Sequence, residues 1–77
     1  LKMRSIRLIA TEIENDWTKV NYSARPYLEA MYSLNEITDE YYFDSGKSVV
    51  LYFLANAGTW RGETAKRVKL ELKGMLK

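Results

Sequence analysis

From Val49 to Ala57 the chain is apolar at every position except Asn56. No other feature constrains the fold as strongly. A helix with so little polar surface must be covered on most sides. Asp44 or Ser45 can cap it, and Gly58 is a good terminator. The run is therefore predicted as a helix over Lys47 to Ala57, at the buried centre of the fold. It falls far short of the ~20 residues needed to cross a bilayer. The chain has 77 residues, which is room for one domain spanning 1–77. A domain of this size buries only about 60% of the surface its unfolded chain exposes, so every other element must give an apolar face to that helix.

The flanking segments supply such faces. Ile6, Ile9, Ile13, Trp17 and Val20 follow steps of three and four, which predicts a helix from about Ser5 to Lys19 with Ser5 as its cap. A strand across Met3 to Thr11 is the runner-up, giving an α+β fold, but its alternation fails at Glu12. Arg4 and Arg7 near the start, with Glu12, Glu14 and Asp16 near the end, oppose the helix dipole. Asn21 to Ser23 reads as a turn. Pro26 opens a second helix and pushes Arg25 away from helical angles, and Tyr27, Leu28, Met31, Tyr32 and Leu34 form its apolar face as far as Asn35. Glu36 to Phe43 reads as a connection that packs its aromatics inward. A fourth helix is predicted from a Thr59 cap to about Leu76, with Gly62 in its first turn. Ala65, Val68, Leu72 and Met75 or Leu76 line one face, and Leu70 stands apart. The expected fold is all-α, a small bundle of about four short helices.

Composition narrows the chemistry. Neither cysteine nor histidine is present. Disulfides, thiol nucleophiles, zinc sites of the usual kind and ordinary catalytic triads are thereby excluded. Carboxylate pairs such as Glu12 with Asp16, or Asp39 with Glu40, read as solvated surface, because calcium-loop spacing is missing. Asp44-Ser45-Gly46-Lys47-Ser48 ends like a phosphate-binding loop, but that motif needs a glycine where Tyr41 stands, and a preceding strand. No enzyme, cofactor or metal is expected. No signal-peptide pattern appears at the start, and a chain without cysteine fits a cytoplasmic protein with no membrane partner.

The net charge of +2 conceals two opposed halves. Residues 12–44 carry eight acids and two bases, whereas residues 60–77 carry six bases and two acids. Such halves can pair within one molecule or between two. The basic half sits on the last helix, where Lys66, Lys69, Lys73 and Lys77 form a stripe that Arg61 extends. Helix, Gly58 and basic helix together invite a helix-turn-helix reading, with Arg61, Lys66, Lys69 and Lys73 as candidate nucleic-acid contacts. Against it, the pattern wants an apolar residue about six positions after the turn glycine, and Ala65 comes one place late. Base-reading Asn or Gln is also absent from the last helix. The aromatics offer the other candidate surface. Trp17, Tyr22, Tyr41, Tyr42 and Trp60 are the expected contacts for a protein partner or for self-association, since Tyr and Trp are enriched at binding hot spots.

Two stretches carry a resemblance: Arg25 to Met31, and Asp44-Ser45-Gly46-Lys47-Ser48 through Tyr52 to Ala57 and on to Thr59-Trp60-Arg61-Gly62-Glu63-Thr64-Ala65. In these the chain resembles small uncharacterised proteins encoded by bacteriophages and prophages. The resemblance implies a bacterial host cytoplasm and an accessory role in infection, and it transfers no catalytic or binding residue. The expected function is a non-enzymatic protein-interaction or regulatory module, with nucleic-acid binding as the alternative.

Overall fold

The computed structural model describes residues 3–77. In chain order the elements are helix α1 (Ile6–Asp16), helix α2 (Arg25–Met31), strands β1 (Glu40–Tyr41) and β2 (Asp44–Ser45), helix α3 (Gly46–Ala55) and helix α4 (Glu63–Met75). The described residues are thus mostly helical, with four helices, but not purely so. β1 and β2 pair antiparallel, Glu40 opposite Ser45 and Tyr41 opposite Asp44, around a Tyr42-Phe43 turn. Strands of two residues leave no periodicity to read, so an all-α expectation passes over them. The alternative of an N-terminal strand gives way to α1.

α1 buries Ile6, Ile9, Ala10 and Ile13, which is the spacing that marks it in the sequence. Ser5 precedes it, yet the hydroxyl makes no cap bond. The first amides are satisfied from elsewhere: Ile6 N–H donates to the Asn35 carbonyl at 3.0 Å and Arg7 N–H to that of Leu34 at 2.9 Å. The chain leaving α2 thus supplies the acceptors that a capping side chain normally provides. Ser5 instead donates its hydroxyl to Asn35 Oδ1. α2 starts at Arg25 rather than after it. The Asn21 carbonyl accepts from the amides of both Ala24 and Arg25, and this turn draws Arg25 into the helix despite the proline that follows.

α3 is capped by Ser45, whose Oγ accepts from Ser48 N–H at 3.1 Å. It is less central than its composition predicts. Val49, Val50 and Phe53 are buried, but Leu51 and Tyr52 are each 53% exposed. Four short helices cannot surround one of their number, and α3 packs most extensively on α2. α4 begins at Glu63, not near Thr59. Gly62 caps it at φ 116°, a conformation that side chains other than glycine's rarely allow. The delay gives the connection room to dip Trp60 into the core, where it stacks on Trp17 at 5.8 Å. Phe53 meets the two indoles edge-on. The indole N–H of Trp60 donates to Asp16 Oδ2 at 2.8 Å, so a buried aromatic keeps its one polar atom satisfied.

Candidate functional site

The acidic and basic halves meet across α1 and α4. Arg4 donates from Nε and Nη2 to both oxygens of Glu71, at 3.0 and 2.7 Å. Its Nη2 also lies 2.8 Å from Glu12 Oε1. Arg67 donates to the other oxygen of Glu12. Hydrogen bonding by Arg67, and then Arg4, holds the Glu12 carboxyl below the usual carboxylate range. A second seam joins α1 to α2. There Arg25 bonds Glu14 at 2.7 Å, and the Tyr32 hydroxyl donates to Glu14 at the same distance. Burial, chiefly, and this neighbour push the Tyr32 phenol up to about 12. The charge polarity of the sequence is therefore used in part to close the molecule on itself.

What remains on α4 differs from the predicted stripe. Lys69 is withdrawn from it. Its ammonium donates to the carbonyls of Ala57 and Trp60, each at 2.7 Å, and lies 5.8 Å from the Trp60 ring. Burial, then the charges of Lys73 and Arg61, lower its affinity for the proton. Lys69 thus holds the α3–α4 connection in place, and is not a free phosphate contact. Lys66, Leu70 and Lys73 fall at successive turns of one helical stripe, and Lys77 lies beyond the end of α4. Lys66 and Lys73 are exposed, and so is Leu70, at 62%. Arg61 is exposed on the preceding loop. That loop, Asn56 to Gly62, is longer than the three to four residues of a helix-turn-helix turn, so α3 and α4 do not form one.

The predicted aromatic surface is divided in the same way. Trp17 and Trp60 lie in the core, where a short chain needs its largest side chains, and present no ring to a partner. Tyr41 is half-buried. Tyr22 and Tyr42 are exposed, but on different elements. Phe43, expected to pack inward, is instead fully exposed beside Tyr42 at the hairpin tip. Tyr42 adopts φ 56°, in the left-handed region, and leans edge-on against Tyr41 at 4.7 Å. Among the described residues it is the one non-glycine with positive φ. Acids flank the tip: Glu40 and Asp44 are both exposed. Reasoning from sequence missed Phe43 and made little of Leu70. For Leu70 the available signal was a leucine off its helix's apolar face; two-residue strands left none for Phe43.

Two other places invite chemistry and do not supply it. Around Gly46 the backbone presents carbonyls. A Cβ there would lie 2.8 Å from Ile37 O and 2.9 Å from Asp39 O, and Gly46 N–H is already given to Asp39 O. A phosphate cradle needs inward-pointing N–H groups, so this glycine serves close packing. A depression of about 530 Å³ opens between the start of α1 and the α2–β1 connection, with Met75 at its edge. Its polar lining is spent on structure, Arg4 with the carboxylates and Ser5 with Asn35. Among the described residues no cluster of three or more His, Cys, Asp or Glu converges on a metal-sized site, and no helix is long and apolar enough to cross a membrane. In comparisons with known proteins, no family model, curated protein or solved structure matches the chain.

Proposed function

We propose that this chain is a small non-enzymatic protein-interaction or regulatory module whose principal contact is the Tyr42-Phe43 hairpin tip. One observation carries the reading. Tyr42 occupies a backbone conformation that glycine or asparagine would adopt more easily, and its ring is 82% exposed. Strain of this kind costs about 1–3 kcal/mol, and the edge-on contact with Tyr41 offsets about 0.5–1.5 kcal/mol of it. A bulky residue kept there at a cost to stability is explained by what the ring does outside the molecule. Phe43 beside it is fully exposed, and aromatic side chains of this kind are enriched at interfaces. The setting we infer is a bacterial cytoplasm, with an accessory role in phage infection, as the resemblance implies.

The test is comparative capture, from bacterial lysate that also contains the untagged native chain, with the tagged full chain, a Phe43→Ser bait and a Tyr42→Ser bait, before and after nuclease. A protein retained after nuclease and lost with either variant supports the reading. Equal capture by all three baits, or capture that disappears with nuclease, overturns it.

Nucleic-acid binding is the second reading, favoured by Arg61, Lys66 and Lys73, which are exposed and make no ion pair among the described residues. It predicts a gel shift at low salt that fades steeply as salt rises. It is the weaker reading because Leu70 interrupts the stripe, and a leucine has nothing to offer a phosphate.

A further inference from the structure

We propose that the partner of the hairpin tip is the α4 stripe of a second copy of this chain, so that copies associate head to tail. This rests on the interaction reading above and names its occupant. The two surfaces are complementary in kind. The tip is an apolar pair, Tyr42 and Phe43, between the acids Glu40 and Asp44. The stripe is an exposed leucine, Leu70, with Lys66 one turn before it and Lys73 one turn after. Each patch has an apolar centre, and the charges on either side of it in sequence are opposite in sign, although Lys47 follows the hairpin and Glu63 stands one turn before Lys66. Neither rim is neutralised at home, since the ion pairs among the described residues engage Glu12, Glu14, Glu29 and Glu71 and leave these groups out. Opposite charges around an apolar anchor steer encounter and fix register, while the anchor supplies most of the affinity.

The tip and the stripe lie on different elements. The hairpin packs on α3, whereas α4 packs on α1 and α3. Each copy offers one tip and one stripe, so two copies close as a dimer where both contacts form reciprocally about a two-fold axis, and otherwise add tip to stripe into larger assemblies. Tip against tip, or stripe against stripe, would instead set like charges against each other.

Sedimentation of the full chain over a range of concentrations, at low and at high salt, tests this. At low salt the weight-average mass rises with concentration above that of the monomer, and high salt moves that rise to higher concentration without abolishing it. Phe43→Ser and Leu70→Ser each alter a side chain the core does not use, and each weakens association by about thirtyfold, the loss expected of a hot-spot residue. Mixing the two variants restores a one-to-one pair and nothing larger, because one intact tip meets one intact stripe. A chain that stays monomeric, an association that neither variant weakens, or a mixture no heavier than its components overturns the proposal. If the chain is monomeric yet captures another protein through Phe43, self-association falls and the interaction reading stands. If both measurements fail, both fall.

Discussion

Trp60 gives its indole N–H to the carboxylate of Asp16, 44 positions earlier in the chain, at 2.8 Å. This bond ties the loop before α4 to the end of α1, over the stacked pair formed with Trp17. Asp16→Ala leaves a buried indole N–H unpaired and lowers stability by about 1–2 kcal/mol. Trp60→Ala also empties a core position and costs about 3–5 kcal/mol, enough to unfold much of a small domain. Urea denaturation of the two variants gives both figures.

Lys69 and Lys66 look alike in the sequence and are predicted to behave differently. Lys69→Met strips the donor from two carbonyls on buried residues, and about 1.5–3 kcal/mol is lost. Lys66→Met changes stability by no more than about 0.5 kcal/mol, since that side chain is exposed and makes no ion pair among the described residues. Equal losses in denaturant midpoints would refute the structural role of Lys69.

The carboxylate seams give the fold an acid limit. The folded-state affinity of Glu12 for a proton is lowered, first by Arg67 and then by Arg4, and that of Glu14 by Arg25 and then by Tyr32. Ionisation is thus favoured in the folded state. The stability it confers is present above the ordinary carboxylate range and is lost as pH falls through the lowered folded values. Glu12→Gln is therefore less stable than the native chain by about 1 kcal/mol near neutrality, and the gap closes in acid. Tyr32 has the opposite sense. Its folded value of about 12 is raised, so its contribution is present below the ordinary phenol range and lost as pH climbs toward that figure. Tyr32→Phe removes that alkaline loss. Thermal melts across pH check both ends.

Two glycines are predicted to respond in opposite directions to alanine. At Gly46 the new Cβ would press on two backbone carbonyls that cannot rotate away, which costs about 1–3 kcal/mol. Gly74, near the end of α4, has nothing within 4 Å of the same position, and alanine there raises stability by about 0.5–1 kcal/mol. Melting temperatures of the two variants decide the matter.

At the hairpin tip, Tyr42→Gly relieves the left-handed strain and raises stability by about 0.5–1 kcal/mol while removing the ring proposed to bind. A denaturant midpoint that does not rise would show that the edge-on contact with Tyr41 holds the turn more strongly than its backbone opposes it.

The helices were legible because apolar spacing of three and four survives in any single sequence. Ile6, Ile9 and Ile13, or Ala65, Val68 and Leu72, lie on buried faces as that spacing requires. Helix ends were harder to place. The start of α1 depends on carbonyls at Leu34 and Asn35, and that of α4 on a glycine needed only because Trp60 must first enter the core. Both are tertiary facts with no local signature. The candidate site was legible in outline only. Residue type separates neither Lys69 from Lys66 nor Trp60 from Tyr42, because which side chain finds a partner depends on what the fold brings beside it. Phe43 was misplaced for a related reason: its inward packing was inferred from hydrophobicity alone, and a two-residue turn leaves its side chains no core to enter.

The shared start of α1 also bears on how the chain is made. Ile6 and Arg7 leave the ribosome well before Leu34 and Asn35, whose carbonyls complete the first turn of the helix. During synthesis α1 therefore begins with open amides, and they remain so until the whole of α2 and its exit turn have emerged. The smallest nascent segment in which α1 has its native beginning reaches Asn35. Helix and turn are acquired as one unit, late relative to the order of translation.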